Sequence, residues 1–366
     1  MIEFLTHDAD LIRIAESVSS GTRLSNEDAL ILFERAPLAL LGMLATAKRE
    51  QINGKRAYYN RNIHIEPTNI CLFRCKFCSY RRCSLDEPGA WYDSLEDIYN
   101  QAAVYQHKGI TEVHIVGGVH PLHTLVDYIE IVKTVKRALP EVVVKAYTAV
   151  ELNYIIRKAG LSLEEGLVLL KEAGMGAIPG GGAEIFDTEV RAQICGEKSS
   201  AEEWLATHRA AHKMGITTNA TILYGHIETY RHRIDHLARL RALQDETGGF
   251  SAFIPLKYRS VNNSMSSLGE VSLPEDMRML AISRLYLDNF DHIKAYWVML
   301  GKDATELALA FGADDIDGTI DDTTKIYSMA GVADQKPSMT TSQMRSLIAR
   351  MGYVPIERDT FYREIL

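Results

Sequence analysis

Hydrophobic and polar positions alternate differently in successive parts of this chain. Residues 1 to about 60 are patterned for helices and poor in strand signals. From Asn62 onward, short β-branched runs alternate with amphipathic stretches of helical period. The runs are Ile63–Ile65, Val113–Val116, Val142–Ala146, Gly176–Ile178, Ile216–Leu223, Phe250–Ile254, Ile293–Val298 and a weaker one near Ala313–Ile316. Three connecting helices carry the same punctuation. Ser94 with Asp97, Ser162 with Glu165 and Ser200 with Glu203 form capping-box starts, and Gly109, Gly174 and Gly215 supply the stops. Repeated strand–helix–strand units require parallel strands joined by right-handed crossovers, and about eight of them close a barrel. The pattern therefore predicts an α/β chain with a TIM-like (β/α)8 barrel, complete or nearly so. Its expected divisions are an N-terminal helical segment over 1–60 packing on the barrel, the barrel over 61–335, and a C-terminal helix near Ser342–Met351 with a charged tail over 336–366.

Composition narrows the class. The 366 residues are 46% apolar and 24% charged, enough for a large core, and the net charge is −8 with no basic block. Nucleic acid is thereby disfavoured as a partner, because phosphate binding needs a basic patch. A small anionic substrate needs only two or three placed cations. The first residues lack a basic and apolar leader, and the longest apolar stretch, Pro37 to Ala47, is about half a membrane span. A cytoplasmic protein without membrane contact is the expectation.

Five cysteines, an odd number with three clustered, do not suit a secreted disulfide framework. Cys71, Cys75 and Cys78 stand in a C-x3-C-x2-C spacing directly after the first strand. Three thiolates in one loop can ligate three irons of a cubane cluster and leave the fourth iron open. Zinc is the competing occupant, and Cys83 could complete its four ligands. Otherwise Cys83 and Cys195 are ordinary thiols.

This motif, its place after strand one and the aromatic Phe77 before the last cysteine resemble the radical SAM superfamily. The resemblance implies a 4Fe–4S cluster on Cys71, Cys75 and Cys78. It also implies S-adenosylmethionine (SAM) chelated at the open iron and cleaved reductively to a 5′-deoxyadenosyl radical, with flavodoxin or ferredoxin as electron donor. Carried over residue by residue, SAM would meet the backbone of Tyr80, the Gly117-Gly118 pair, Glu184 after the Gly180–Gly182 run, and Arg191 as a partner for its carboxylate. The pattern from Thr221 to Glu228 would face adenine through Leu223, Gly225 and Glu228, with Thr221 where a glycine is often found.

Longer strings resemble one group in that superfamily: Glu112 to Pro121, Gly180 to Phe186, Gly225 to Thr229, and Leu243 to Phe250. The group holds the two radical SAM enzymes of the futalosine route to menaquinone and the deazaflavin-forming synthases. Val116 to Pro121 and His292 to Val298 are most similar to the aminofutalosine synthase family. That resemblance implies addition of the deoxyadenosyl radical to the enol-ether double bond of 3-(1-carboxyvinyloxy)benzoate. Rearrangement and decarboxylation would then give 6-amino-6-deoxyfutalosine. The sister cyclase and the deazaflavin synthases are the alternatives within the class, and a non-catalytic iron–sulfur or zinc protein is the one outside it. Candidate substrate contacts at strand ends are His120, His226, Lys257 and Arg259 beside Asn262 and Asn263, Lys294, and the backbone of Gly318 and Thr319. Of Phe253, Tyr296 and Trp297, strand alternation leaves one free to stack on the benzoate ring and sends the others to the core.

Overall fold

In the computed structural model, which describes residues 4–365, the strands are β1 (Arg56–Asn60), β2 (Asn62–Ile65), β3 (Glu112–Ile115), β4 (Val143–Ala146), β5 (Met175–Ile178), β6 (Thr217–Tyr224), β7 (Phe250–Lys257), β8 (Asp315–Gly318) and β9 (Val354–Glu357). β2 to β7 form a six-stranded parallel sheet in chain order. The sheet continues through single bridges, Phe253 to Ile293 and Lys294 to Asp315, and β8 pairs in parallel with β1. Because β1 runs into β2, the circle closes as the repeated units predicted, thinly on this side.

The seventh run is a correction. Only Ile293 and Lys294 make strand bridges, and Trp297–Leu300 is a helical turn. The turn is fixed by the Trp297 Nε1–H, which donates to the Gly318 carbonyl at 2.8 Å. β1 and β9 were not visible in the sequence pattern. β9 pairs with β1 on the side opposite β8.

The three predicted capping boxes form, with each Ser hydroxyl accepting from the N–H three residues on and the acid accepting from the Ser N–H. Gly109, Gly174 and Gly215 follow with positive φ, the backbone state glycine adopts without a Cβ penalty. The helices Asn26–Arg35 and Leu38–Asn53 lie against the outer helices Tyr230–Thr247 and Leu273–Tyr286, and Ala9–Ser20 packs on the first two. Leu40, Leu41 and Leu44 are buried there in one core with Met277, Leu280 and Leu285. Among the described residues no helix is long and apolar enough to cross a membrane.

After the helix Thr341–Arg350 the tail turns under the barrel. The Arg358 guanidinium pairs with Asp315 at 2.6 Å, the Tyr362 hydroxyl donates to the same carboxylate, and the Thr360 hydroxyl donates to Glu112. These contacts close the end opposite the cysteine loop.

Candidate active site

A cavity of about 300 Å³ opens at the C-terminal ends of the strands and runs down the barrel axis. At its upper end lies the segment from Glu66 to Asp93, which has almost no regular structure and is held by its neighbours. The Gly118 N–H donates to the Thr68 carbonyl at 2.7 Å, Leu72 N–H to Val119 O at 3.0 Å, Cys71 N–H to Arg82 O at 3.0 Å and Lys76 N–H to Ile194 O at 2.8 Å. Asn69 spans the loop, donating to Gly89 O and accepting from the Trp91 N–H.

Gly117 and Gly118 line the cavity, but their neighbours explain them further. A Cβ on Gly118 would sit 2.3 Å from the Ile70 carbonyl oxygen, and one on Gly117 2.8 Å from Thr68 O. The pair lets the cysteine loop lie on the end of β3.

Cys71, Cys75 and Cys78 are unpaired, partly exposed, and all face this cavity. Cys83 and Cys195 do not line it. Burial pushes the Cys71 and Cys75 thiols up, so bare thiolates are disfavoured there and a bound cation is what would hold them deprotonated. Three thiols lining one open space, with neither Cys83 nor Cys195 on it, suit a cubane with one iron free better than four-coordinate zinc.

Around the thiols, Tyr80 is buried and its hydroxyl donates to Thr68 O. Glu184 lines the cavity in a left-handed backbone conformation (φ 50°), its carboxylate 2.6 Å from the Lys198 ammonium. Lys198 was not singled out in the sequence. Despite burial, the Cys75 thiol and Glu184 beside it hold its pKa above the usual lysine value. Leu223 also faces the cavity.

Several residues expected at the site do other work. Arg191 is buried and donates to the carbonyls of Gly182, Ala183, Ile185 and Ser199. It shapes the glycine-rich loop and does not line the cavity. Glu228 accepts from the Gly225 and His226 N–H groups and pairs with Arg233 at 2.8 Å. The His226 ring is closed in between Glu228 and the Leu223 carbonyl. Gly225, with φ 88°, turns the chain against Val271. This trio fixes the end of β6 without lining the cavity.

His120 packs outside with His123 and Tyr92. Gly318 leaves room for Asn60 and Asn62, and the Thr319 hydroxyl donates to Asn62 O at 2.9 Å, so both join strands and neither lines the cavity.

Lys257, Arg259 and Lys294 do line it. Each is paired, Lys257 with Asp276 at 2.9 Å, Arg259 with Glu270 at 3.2 Å and Lys294 with Asp317 at 2.5 Å. Of the three aromatic candidates, Phe253 and Trp297 are fully buried in core clusters, and Tyr296 borders the cavity.

The deep end holds groups that sequence reasoning missed. His64, His114 and Lys145 lie side by side across β2, β3 and β4, and Lys145 pairs with Glu112 at 2.6 Å. Burial presses His64 down to about 4 and His114 below the usual histidine value. Burial works against ionisation of Asp317, yet Lys294 holds it down to about 2. Glu151, which lines the cavity and accepts from the Gly117 N–H, is pushed up to about 7 by burial. A signal for this floor existed in the sequence. His64, His114 and Lys145 each sit between two apolar residues of a strand buried on both faces, where period-two polarity points into a barrel.

Comparisons with known proteins agree with this geometry. Residues 65–240 match the radical SAM superfamily model, and residues 247–365 match the CofH/MqnC C-terminal region. The chain is 43% identical to an aminodeoxyfutalosine synthase of Thermus thermophilus, covering 98% of this chain and 96% of that one. It is 40% identical to a Streptomyces coelicolor protein of the same name, over 98% and 95%. Identity to the cyclic dehypoxanthine futalosine synthase of Streptomyces coelicolor is 35%, over 99% and 90%. In fold it is similar to methylornithine synthase (TM-score 0.73, 18% identity, 93% of this chain and 97% of the other). It is equally similar to the FeFe-hydrogenase maturase HydG from Carboxydothermus hydrogenoformans (TM-score 0.73, 18% identity, 97% and 81%). The chain belongs to the radical SAM superfamily, whose enzymes use a 4Fe–4S cluster and SAM, and within it to the family of the aminodeoxyfutalosine synthases.

Proposed function

We propose that this enzyme joins the 5′-deoxyadenosyl group of SAM to 3-(1-carboxyvinyloxy)benzoate, with loss of one carboxyl group, to give 6-amino-6-deoxyfutalosine. The observation that carries the reading is one continuous cavity with three unpaired thiols at its mouth and a floor of histidines and paired lysines. Cys71, Cys75 and Cys78 hold the cluster, which when reduced supplies the cleavage of SAM into methionine and an adenosyl radical. Tyr80, Gly117, Gly118, Glu184 and Leu223 surround the SAM position, and the Lys198 ammonium gives that region a cation. Lys257, Arg259 and Lys294 bring N–H donors to the substrate side, each paired with an acidic partner.

The residues of the chain serve a reactive intermediate chiefly by position and by exclusion of water. The Glu66–Asp93 loop roofs the cavity, and Arg358, Thr360 and Tyr362 seal its base. On this reading residues 61–335 together with β1 carry the chemistry, with the helices before β1 bracing the outer helices and the segment after residue 336 closing the barrel. A reduced flavodoxin or ferredoxin gives the electron, and thiols kept for a cluster suit a reducing cytoplasm.

Anaerobic reconstitution followed by reduction with SAM and substrate tests the proposal. Mass analysis of the product should find the adenosyl group joined to the benzoate. Stoichiometric free 5′-deoxyadenosine without an adduct would reject it in favour of the cyclase reaction.

A further inference from the structure

The floor of the cavity contains an unusual pair. His64 and His114 occupy matched positions on β2 and β3, with ring centroids 4.6 Å apart. The Nε2 atom of each is buried and has no hydrogen-bond partner, and both residues line the cavity. Buried polar atoms are nearly always paired in native proteins, so two adjacent unpaired nitrogens on rings that border one open space mark a place where a ligand supplies the partner after a small ring rotation.

The surroundings define its chemistry. Lys145 lies beside His114 on β4, and Lys294 approaches from the other side. Each ammonium spends one N–H on a carboxylate, Lys145 on Glu112 at 2.6 Å and Lys294 on Asp317 at 2.5 Å, and has two more to give. The two acids cancel the charge of the two lysines. The free valences of the two lysines are therefore N–H donors, the Nε2-protonated tautomer of each histidine adds one more, and a planar acceptor with two oxygens matches them.

Depth chooses between the two ends of the substrate. The thiols mark the cavity mouth, where the enol ether must meet the adenosyl carbon, so the remote aryl carboxylate lies deepest. We propose that His64 and His114 are the receptor for that aryl carboxylate, each donating one Nε2–H to one carboxylate oxygen beside Lys145 and Lys294. This rests on the function proposed above and makes the histidine pair the specificity determinant for a carboxylated ring.

The test compares 3-(1-carboxyvinyloxy)benzoate with its analogue lacking the ring carboxylate, using reconstituted, reduced holoenzyme and SAM. Wild-type enzyme should prefer the carboxylated compound by about 10- to 100-fold in kcat/KM, the range for hydrogen bonds to a charged group. In His64→Phe/His114→Phe the preference should shrink to about threefold or less, through a raised KM for the carboxylated compound alone, with cluster iron unchanged. The single variants His64→Gln and His114→Gln keep an N–H donor and should retain an intermediate preference, and they decide the matter if the double variant does not fold. An undiminished preference in folded variants, or none in the wild type, would overturn the assignment. A wild-type enzyme that forms no adenosylated product from the carboxylated compound would instead overturn the function on which it rests.

Discussion

Substitution of Gly118 by alanine tests whether the glycine pair exists to seat the cysteine loop. The added Cβ would lie 2.3 Å from the Ile70 carbonyl oxygen, 2.6 Å from its carbon and 2.9 Å from the Asn69 carbonyl carbon, where ordinary contact begins near 3.4 Å. All three obstacles are backbone atoms, and the segment is tied down by the Gly118-to-Thr68 and Leu72-to-Val119 hydrogen bonds. Relief therefore requires the loop next to Cys71 to retreat by about 1 Å. Overpacking of this kind costs about 1–3 kcal/mol. For a chain of this length that is a fall in Tm of about 1–4 °C. The functional loss should be larger, since about 1 Å of misplacement can cost on the order of a hundredfold in rate. Gly117→Ala meets Thr68 O at 2.8 Å and should be the milder of the two. Iron and sulfide content after anaerobic reconstitution, Tm, and the rate of SAM cleavage measure the series. Gly118→Ala with full iron and near-normal cleavage, or Gly117→Ala as the worse variant, would refute the clamp.

Three further outcomes are expected. Cys71→Ala, Cys75→Ala and Cys78→Ala should each lose cluster iron, whereas Cys83→Ala and Cys195→Ser should keep it; iron analysis with electron paramagnetic resonance decides, and a requirement for Cys83 would restore a four-thiolate site. Lys145→Met leaves the buried Glu112 carboxylate without its ammonium and should cost about 3–5 kcal/mol in urea unfolding, with Lys145→Met/Glu112→Leu regaining most of it but not activity. Glu151 binds its proton more tightly folded (about 7) than unfolded (4.5), so its contribution is fully present below pH 4.5 and is lost as pH rises through 7, by about 3 kcal/mol. Glu151→Gln should remove that decline between pH 4.5 and 8, and an unchanged difference between wild type and variant would count against the assignment.

The barrel was legible because its signals are local and repeated. A serine three residues before an acid, an amphipathic stretch, a glycine and a β-branched run recur, and each copy specifies the same unit. β8 was faint because its residues, Asp315-Ile316-Asp317-Gly318, are charged; they are buried only because Arg358 and Lys294 neutralise the two aspartates. The seventh run failed for the opposite reason. His292 to Val298 is apolar enough for a strand, but the Trp297 indole is anchored to Gly318, and that tertiary contact turns the chain. At the site, the cysteine spacing identified its own loop, and Gly117, Gly118, Glu184 and Leu223, singled out by motif position, line the same cavity as the thiols. Arg191, His226 and Glu228 lie off the cavity with their polar groups engaged elsewhere, which a charged residue near a motif does not reveal. In each case the partner is backbone or a neighbouring helix.

The same reasoning explains why the floor carries so many charges without becoming a trap for ions. An unpaired lysine in a closed barrel would lose its proton or draw in water and a counter-ion. Pairing Lys145 with Glu112 and Lys294 with Asp317 gives each ammonium a counter-ion while leaving N–H groups to spare. A carboxylate then meets oriented donors, and its departure after reaction does not strand a free cation. That arrangement needs the base of the barrel shut, because water entering from below would compete for every donor. Arg358, Thr360 and Tyr362 supply the closure and also touch the network, through Asp315 and Glu112. The C-terminal tail thus belongs to the site electrostatically although it lies at the far end from the thiols. Its sequence resembles an ordinary charged tail because the groups it completes are more than forty residues away in the chain, or more than two hundred.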